Sequence, residues 1–242
     1  MQEVRKLKIL VIPDVHLKPW IFDRAAELMA SGAAEKAVCL MDIPDDWGKE
    51  YDLGLYEETY DATIRFQKQY PDTLWCYGNH DMSYVWLQPE SGFSSVAIPV
   101  VNMKQRELRD VIPDESQMAY IHRIDNVLFL HGGLTHAFVK YYAPETDYDD
   151  VDAVIEEINS LGMFQMWDDA SPLWFRPQFY TEKMYKKADL LQVVGHTPVM
   201  QIDRTDNVLT CDLFSTYRTG DSIGTKEYLL IDTTTWEYKG IK

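Results

Sequence analysis

The stretch Leu7-Lys8-Ile9-Leu10-Val11-Ile12-Pro13-Asp14-Val15-His16 decides the fold. A short apolar run rich in β-branched residues and closed by a proline reads as a buried strand. It delivers an aspartate and a histidine at its C-terminal end. The same design recurs along the chain. Ala37–Met41 runs into Asp42-Ile43-Pro44-Asp45, and Leu74–Tyr77 into Gly78-Asn79-His80-Asp81. Val127–Leu130 runs into His131-Gly132-Gly133, and Leu191–Val194 into Gly195-His196-Thr197. In open α/β sheets that edge is where ligands bind.

Between the first three strands lie two helical patterns, Trp20–Ser31 and Leu55–Gln69. Strand–helix–strand alternation predicts parallel βαβ units. Further on, Met118–Ile124 and Val127–Leu130 flank Asp125-Asn126, a two-residue hairpin turn. The spacing predicts an acidic helix over Tyr148–Met163 and a shorter one over Thr181–Ala188. Val208–Cys211 and Tyr228–Asp232 supply more strands, with Asp232–Thr235 turning into a last one. The expected architecture is α/β: a four-layer α-β-β-α sandwich of two sheets, with a dinuclear metal site at the C-terminal ends of the strands. Residues 1–242 read as one domain, with 85–118 as an insertion or a cap over the site.

Composition bounds the function. Net charge is −16, from 23 basic and 39 acidic residues. A field of that sign disfavours a broad nucleic-acid surface. It leaves phosphorylated substrates open, because bound cations reverse the local field. The cysteines, Cys39, Cys76 and Cys211, are odd in number, form no CxxC and sit in apolar stretches. They read as reduced core residues of a cytoplasmic protein. The charged start of the chain leads into an apolar segment too short for a signal peptide. No apolar run reaches the roughly 18 residues of a membrane span.

Of the six histidines, His16, His80, His131 and His196 fall at strand ends, while His122 and His136 do not. One histidine at a strand end is ordinarily a satisfied structural residue. Five such motifs in order, each after an apolar strand, point to a metal site. Carboxylate, imidazole and amide donors suit Mn²⁺, Fe or Zn²⁺. Asp14 and His16 can converge on one ion where the strand bends into a loop. Asp42 can bridge two ions through a shared carboxylate. Asn79, His131 and His196 then complete the second sphere. Two ions about 3.5–4 Å apart suit in-line displacement at phosphorus.

These residues resemble the calcineurin-like metallophosphoesterase superfamily, whose pattern is D-x-H, G-D-x-x-D, G-N-H-[DE] and two later histidines. The match spans residues 14 to 197. His131-Gly132-Gly133-Leu134 and Gly195-His196-Thr197-Pro198 look like the serine/threonine phosphoprotein phosphatase and diadenosine tetraphosphatase branch. Other branches carry a second histidine where this chain has Pro198. The resemblance therefore implies Asp14, His16 and Asp42 as the protein ligands of the first ion. It implies that His80 protonates the leaving group or orients phosphate without binding metal, and that Asp45 positions it. An ordinary turn or helix N-cap role for Asp45 weighs equally.

Three departures mark a divergent member. Asp46 stands where the branch has a phosphate-binding arginine, Met41 replaces a glycine before Asp42, and Leu17 replaces the glycine after Asp-x-His. Trp174-Phe175-Arg176-Pro177 is similar to a W-x-R-P stretch of bacterial members. It makes Arg176 the candidate phosphate contact, its planar fork suiting bidentate recognition. A structural arginine among aromatics is the competing reading. Arg218 is a weaker candidate, and His136 reads as a surface residue or one behind the ligands.

The expected activity is metal-dependent hydrolysis of phosphate monoesters, on phosphoprotein or small esters, with Mn the first choice of metal. The alternatives are a hydrolase of dinucleoside polyphosphates or other nucleotide anhydrides, and a catalytically impaired binding protein.

Overall fold

A computed structural model describes residues 7–180 and 182–242. Two sheets carry the chain. The first is ordered β11-β10-β1-β2-β3-β4, with β1 at Lys8–Ile12, β2 at Lys36–Cys39, β3 at Leu74–Cys76, β4 at Met118–Ala119, β10 at Tyr228–Asp232 and β11 at Tyr238–Ile241. Its β1 to β4 strands run parallel, and β10 and β11 close the other edge antiparallel. The second is ordered β5-β6-β7-β9-β8, with β5 at Ile121–Ile124, β6 at Val127–Leu130, β7 at Leu191–Pro198, β8 at Asp203–Thr205 and β9 at Val208–Asp212. There β6, β7 and β9 are parallel.

Strand side chains alternate between two cores. Ile9 and Val11 face Phe129, Val193, Leu209 and Cys211 of the other sheet, which fixes the sheet-on-sheet contact. Leu10 and Ile12 face outward onto α1 (Trp20–Ala30) and α2 (Leu53–Gln69) through Phe22, Tyr56, Tyr60 and Phe66. The second sheet is covered by α5 (His136–Tyr142) and α6 (Val151–Asn159) through Phe138, Val154 and Ile158. The four layers are helix, sheet, sheet, helix, as the sequence predicts. Inner strands such as β6, β9 and β10 are buried on both faces, which is why they read as continuous apolar runs.

Local signals place the helices. The Asp52 side chain caps α2 by accepting from Leu55 N at 3.2 Å, and Asp150 caps α6 by accepting from Ala153 N at 3.1 Å. Helix α3 (Asn79–Trp86) starts directly at the third strand end and finishes on Leu87 in the left-handed conformation. Helix α4 (Ile98–Val111) packs in the first sheet's outer layer through Val101 and Leu108. Among the described residues, the stretch 85–118 reaches the candidate site only through Glu90, Ser91 and Gly92.

Two expectations fail. Met118–Ile124 is not one strand: β4 pairs with β3 in the first sheet and β5 with β6 in the second, the chain crossing between sheets at Tyr120. The helix expected over Thr181–Ala188 does not form in its described part. Backbone pairing takes its place, with His136 N donating to Lys183 O at 2.8 Å and Tyr185 N to Leu134 O at 2.9 Å. Thr181 lies outside the described residues. The hairpin at Asp125 forms, with Asp125 at φ +51°. The three cysteines are buried and unpaired, and no described helix is long and apolar enough to cross a membrane.

Candidate metal centre

The parallel strands of each sheet end at one edge, and the loops leaving β1, β2, β3, β6 and β9, with the bulged end of β7, meet there. Asp14, Asp42, Asn79, His131 and His196 are buried, and His16 is half-buried. The backbone is forced into the left-handed region at His16, Leu17, Met41, Asp42, Asp45 and His196. Leu17 and Met41, at φ +56° and +55°, are the two positions where the resembled family carries glycine. The left-handed conformation costs roughly 1–2 kcal/mol each for a residue with a Cβ. Both side chains are buried in the core, which offsets that cost. His196 is aimed by the irregularity that shifts the register of β7 on β9 between Val194 and Pro198.

His131 is the centre of the arrangement. Its Nδ1 lies 3.0 Å from the Leu40 carbonyl, and a carbonyl only accepts, so Nδ1 carries hydrogen. Its Nε2 faces Asn79 Oδ1 at 2.9 Å, Asp42 Oδ2 at 3.2 Å and His196 Nδ1 at 3.2 Å. The two oxygens have no proton to give. A positive charge has to lie among these four atoms, either a proton on Nε2 or a cation. Neighbouring ligands about 2.0–2.1 Å from one ion lie roughly 3.3 Å apart, so the spacing suits a coordination sphere. Without an ion the cluster holds a proton. Burial alone would lower the His131 pKa, but Asp42 and Asp14 raise it to about 9. His196 is pushed well down by burial and by the His131 and Arg176 charges, so it stays neutral.

The other half is built around His16, Asp42 and His80, whose donor atoms lie within 4.8 Å of one another. His16 Nδ1 donates to the Asp45 carbonyl at 2.9 Å, which leaves Nε2 facing Asp42 Oδ2 at 3.8 Å. Asp14 sits deeper. Its Oδ2 accepts from His196 N at 2.8 Å, and its Oδ1 is buried without a hydrogen-bond partner. Burial and then Asp212 push its carboxyl well above the usual carboxylate range. An orphaned oxygen among like charges fits a cation beside it. Asp14 is nonetheless in neither of the tight donor triplets, Asp42–His131–His196 being the second.

Asp45 does not cap a helix; Asp52 caps α2. Its Oδ2 accepts from His80 Nδ1 at 3.0 Å, while Oδ1 accepts from Tyr56 and Tyr84 hydroxyls at 2.8 and 2.5 Å. With its carbonyl on His16, Asp45 orients two histidines at once. Burial would lower the His80 pKa, but Glu90, Asp42 and Asp45 raise it to about 10. Asp46 is no free anion in the cleft. Lys18 Nζ donates to it at 2.9 Å, and the Thr216 hydroxyl also donates to it. Arg176 lines the cleft and donates to the His196 carbonyl and, at 3.3 Å, to Thr197 Oγ1. Trp174 packs edge-on against His196 at 5.6 Å, its Nε1 buried without a partner. Arg218 stacks over Trp47, 4.7 Å from the ring centre. His136 bonds Tyr148 at 2.8 Å, and His122 bonds the Trp75 carbonyl at 3.1 Å.

Three carboxylates gain roles that the motif pattern does not assign. Asp81 accepts from Asp42 N, Ile43 N and Gly78 N at 2.8, 3.2 and 3.2 Å, tying the second strand's loop to the third's. Asp212 lines the cleft with its carboxylate held by Ser215 Oγ at 2.8 Å. Its signal was available, because it follows the apolar strand Val208–Cys211 as Asp42 follows its own. Glu90 accepts from Asn79 Nδ2 at 2.6 Å, and no local pattern marks it.

A family model described as calcineurin-like phosphoesterase matches residues 7–218. No curated protein sequence matches the chain. Among solved structures, a hypothetical protein, PH1004, from Pyrococcus horikoshii OT3 aligns over 97% of this chain and 87% of its own at 11% identity and TM-score 0.48. A metallophosphoesterase from Sphaerobacter thermophilus aligns over 98% and 89% at 12% identity and TM-score 0.45. Yfce, a phosphoesterase from E. coli, aligns over 97% and 98% at 12% identity and TM-score 0.40. These distant likenesses bear on neither substrate nor mechanism. The family model covers most of the chain and reaches past every strand-end motif, so the chain belongs to the calcineurin-like phosphoesterase family, hydrolases that act on phosphoric esters at a dinuclear metal site.

Proposed function

We propose that this chain hydrolyses phosphate monoesters, on phosphoprotein or small esters, with Asp14, His16 and Asp42 holding one ion and Asp42, Asn79, His131 and His196 the other. The observation that carries the metal assignment is the His131 Nε2 lone-pair site enclosed by Asn79 Oδ1, Asp42 Oδ2 and His196 Nδ1. When bound, the two ions supply Lewis acidity and an acidified water. Asp42, lying between the two triplets, is the shared carboxylate. His80, held charged by Asp45, Asp42 and Glu90, donates a proton to the departing alkoxide. Arg176, anchored at the His196 carbonyl, faces the cleft as the phosphate contact. The Lys18–Asp46 pair keeps the residue at the missing arginine's position from repelling phosphate. Mn is the first choice of metal for this oxygen- and nitrogen-donor set, with Fe and Zn next.

The cleft holds about 180 Å³. That suits a phosphoryl group with a short leaving group, and is below the roughly 300 Å³ at which pockets for larger ligands begin. The test is turnover with Mn²⁺ of p-nitrophenyl phosphate, bis-p-nitrophenyl phosphate, a phosphoserine peptide and diadenosine tetraphosphate. Preference for the monoesters is expected. A kcat/KM for the dinucleotide tenfold above both monoesters would overturn the monoester assignment.

A further inference from the structure

Glu90 stands outside every motif, yet it is aimed at the machinery. It lies on the loop that follows α3, the helix carrying Asn79 and His80 at its start. That loop is pinned back over the site. Ser94 N donates to Tyr84 OH at 3.0 Å, and the Ser94 hydroxyl donates to the Glu50 carbonyl. Gly92, at φ +85°, lets the turn lie against the His80 ring, and a Cβ there would sit 3.9 Å from His80 Cε1. The loop thereby delivers the Glu90 side chain, 9% exposed, to two targets. Its Oε2 accepts from Asn79 Nδ2 at 2.6 Å, and its Oε1 stands 3.7 Å from His80 Nδ1 with no hydrogen-bond partner.

The consequence is for Asn79. A carboxamide has an accepting oxygen and a donating nitrogen of nearly the same shape, so its orientation is set by its partners. Only the oxygen can face a cation. Glu90 Oε2 accepts from Nδ2, which turns Oδ1 toward His131 Nε2, 2.9 Å away. We infer that Glu90 is a positioning residue for the metal centre, fixing the Asn79 amide so that its oxygen faces the ion shared with Asp42, His131 and His196. The inference rests on the metal-site assignment made above. Partners of ligands in such sites commonly carry about 10–100-fold in metal affinity.

The experiment is Mn²⁺ titration by calorimetry of the full chain and of Glu90→Gln, Glu90→Met and His131→Ala. Both Glu90 variants keep the side-chain length, but only Gln retains an acceptor for Nδ2. Glu90→Met is expected to weaken the second Mn²⁺ about 10–100-fold, and Glu90→Gln to stay within about threefold of the parent. The melting temperature of the metal-free proteins is read in parallel, because a space-filling role would lower it without changing affinity. Affinity within threefold of the parent for Glu90→Met overturns the inference. So does an equal loss in both variants, which would make the charge, not the acceptor, responsible. Should Glu90→Met fail to fold, Glu90→Leu, which likewise fills the space and offers no acceptor, is read by the same criteria. His131→Ala separates the two levels: if it binds both ions normally the metal assignment fails, and if it loses one while Glu90→Met does not, the Glu90 inference alone fails.

Discussion

Gly78→Ala tests whether the shared carboxylate is placed by the packing of two strand ends. Gly78 has φ −94° and ψ 164°, ordinary extended values, so its backbone does not demand glycine. Space does. A Cβ at this position would lie 2.0 Å from Asp42 Oδ1 and 2.7 Å from Asp42 N. Carbon packs comfortably at about 3.5 Å from its neighbours, so the carboxylate or the strand end must retreat by about 1 Å or more. Productive sites tolerate about 0.5 Å, and a 1 Å misplacement can cost about 100-fold. Because Asp42 faces both donor triplets, both ions should weaken, each by about 100-fold or more in Mn²⁺ titration, with turnover lost in parallel. Overpacking should also cost about 1–3 kcal/mol, roughly 2–10 °C in the melting temperature of the metal-free protein. Gly54→Ala is the control. It is exposed in the first turn of α2 with its nearest neighbour at 3.8 Å, and should leave metal binding unchanged. If Gly78→Ala binds Mn²⁺ within threefold of the parent and turns over normally, the close approach does not position Asp42 and the reasoning is refuted.

Two further predictions follow from the same geometry. Asp42→Asn should abolish binding of both ions, whereas His80→Ala should keep both and lose about 10²–10⁴-fold in kcat on p-nitrophenyl phosphate. The structure makes this comparison sharp, because His80 lies in a donor triplet with His16 and Asp42, and a His80→Ala protein that loses one ion would make His80 a ligand. Metal uptake should also depend on pH. The His131 pKa is raised to about 9 in the metal-free fold, so the proton stabilises that fold fully below about pH 6.5 and the stabilisation is lost as pH rises through 9. An ion must displace the same proton, so Mn²⁺ affinity should climb about tenfold per pH unit between pH 7 and 8.5. Calorimetry in buffers of different ionisation enthalpy should count about one proton released at pH 7. A flat affinity across that range would mean that the Nε2 position holds no displaceable proton.

Much of this protein is legible locally. Runs such as Ile9–Ile12 and Val127–Leu130 are buried on both faces, so their continuous apolarity is visible without partners. The strand-end rule that selects Asp14, Asp42, Asn79, His131 and His196 also covers Asp212, which the family pattern leaves out. Failures occur where tertiary pairing overrides a local signal. One apolar segment, Met118–Ile124, serves two sheets, and a helical pattern after Thr181 is consumed by backbone bonds to Leu134 and His136. Met41 and Leu17, which stand where the family pattern has glycine, nonetheless adopt the left-handed conformation that glycine favours.

The sequence by itself determined the sandwich and singled out the candidate donors, because strand burial and the residue at a strand's end are properties of neighbours along the chain. Tertiary structure alone decided how the donors are charged and oriented. Lys18 neutralises Asp46 across 28 residues, Asp45 holds His80 across 35, and Leu40 fixes the His131 tautomer across 91. Glu90 reaches Asn79 only because its loop is pinned back over the site. Hydrogen-bond direction and the field on a buried group depend on atoms a few ångströms away in space. Contacts of that kind carry no fixed spacing in sequence, and so leave no pattern there to find.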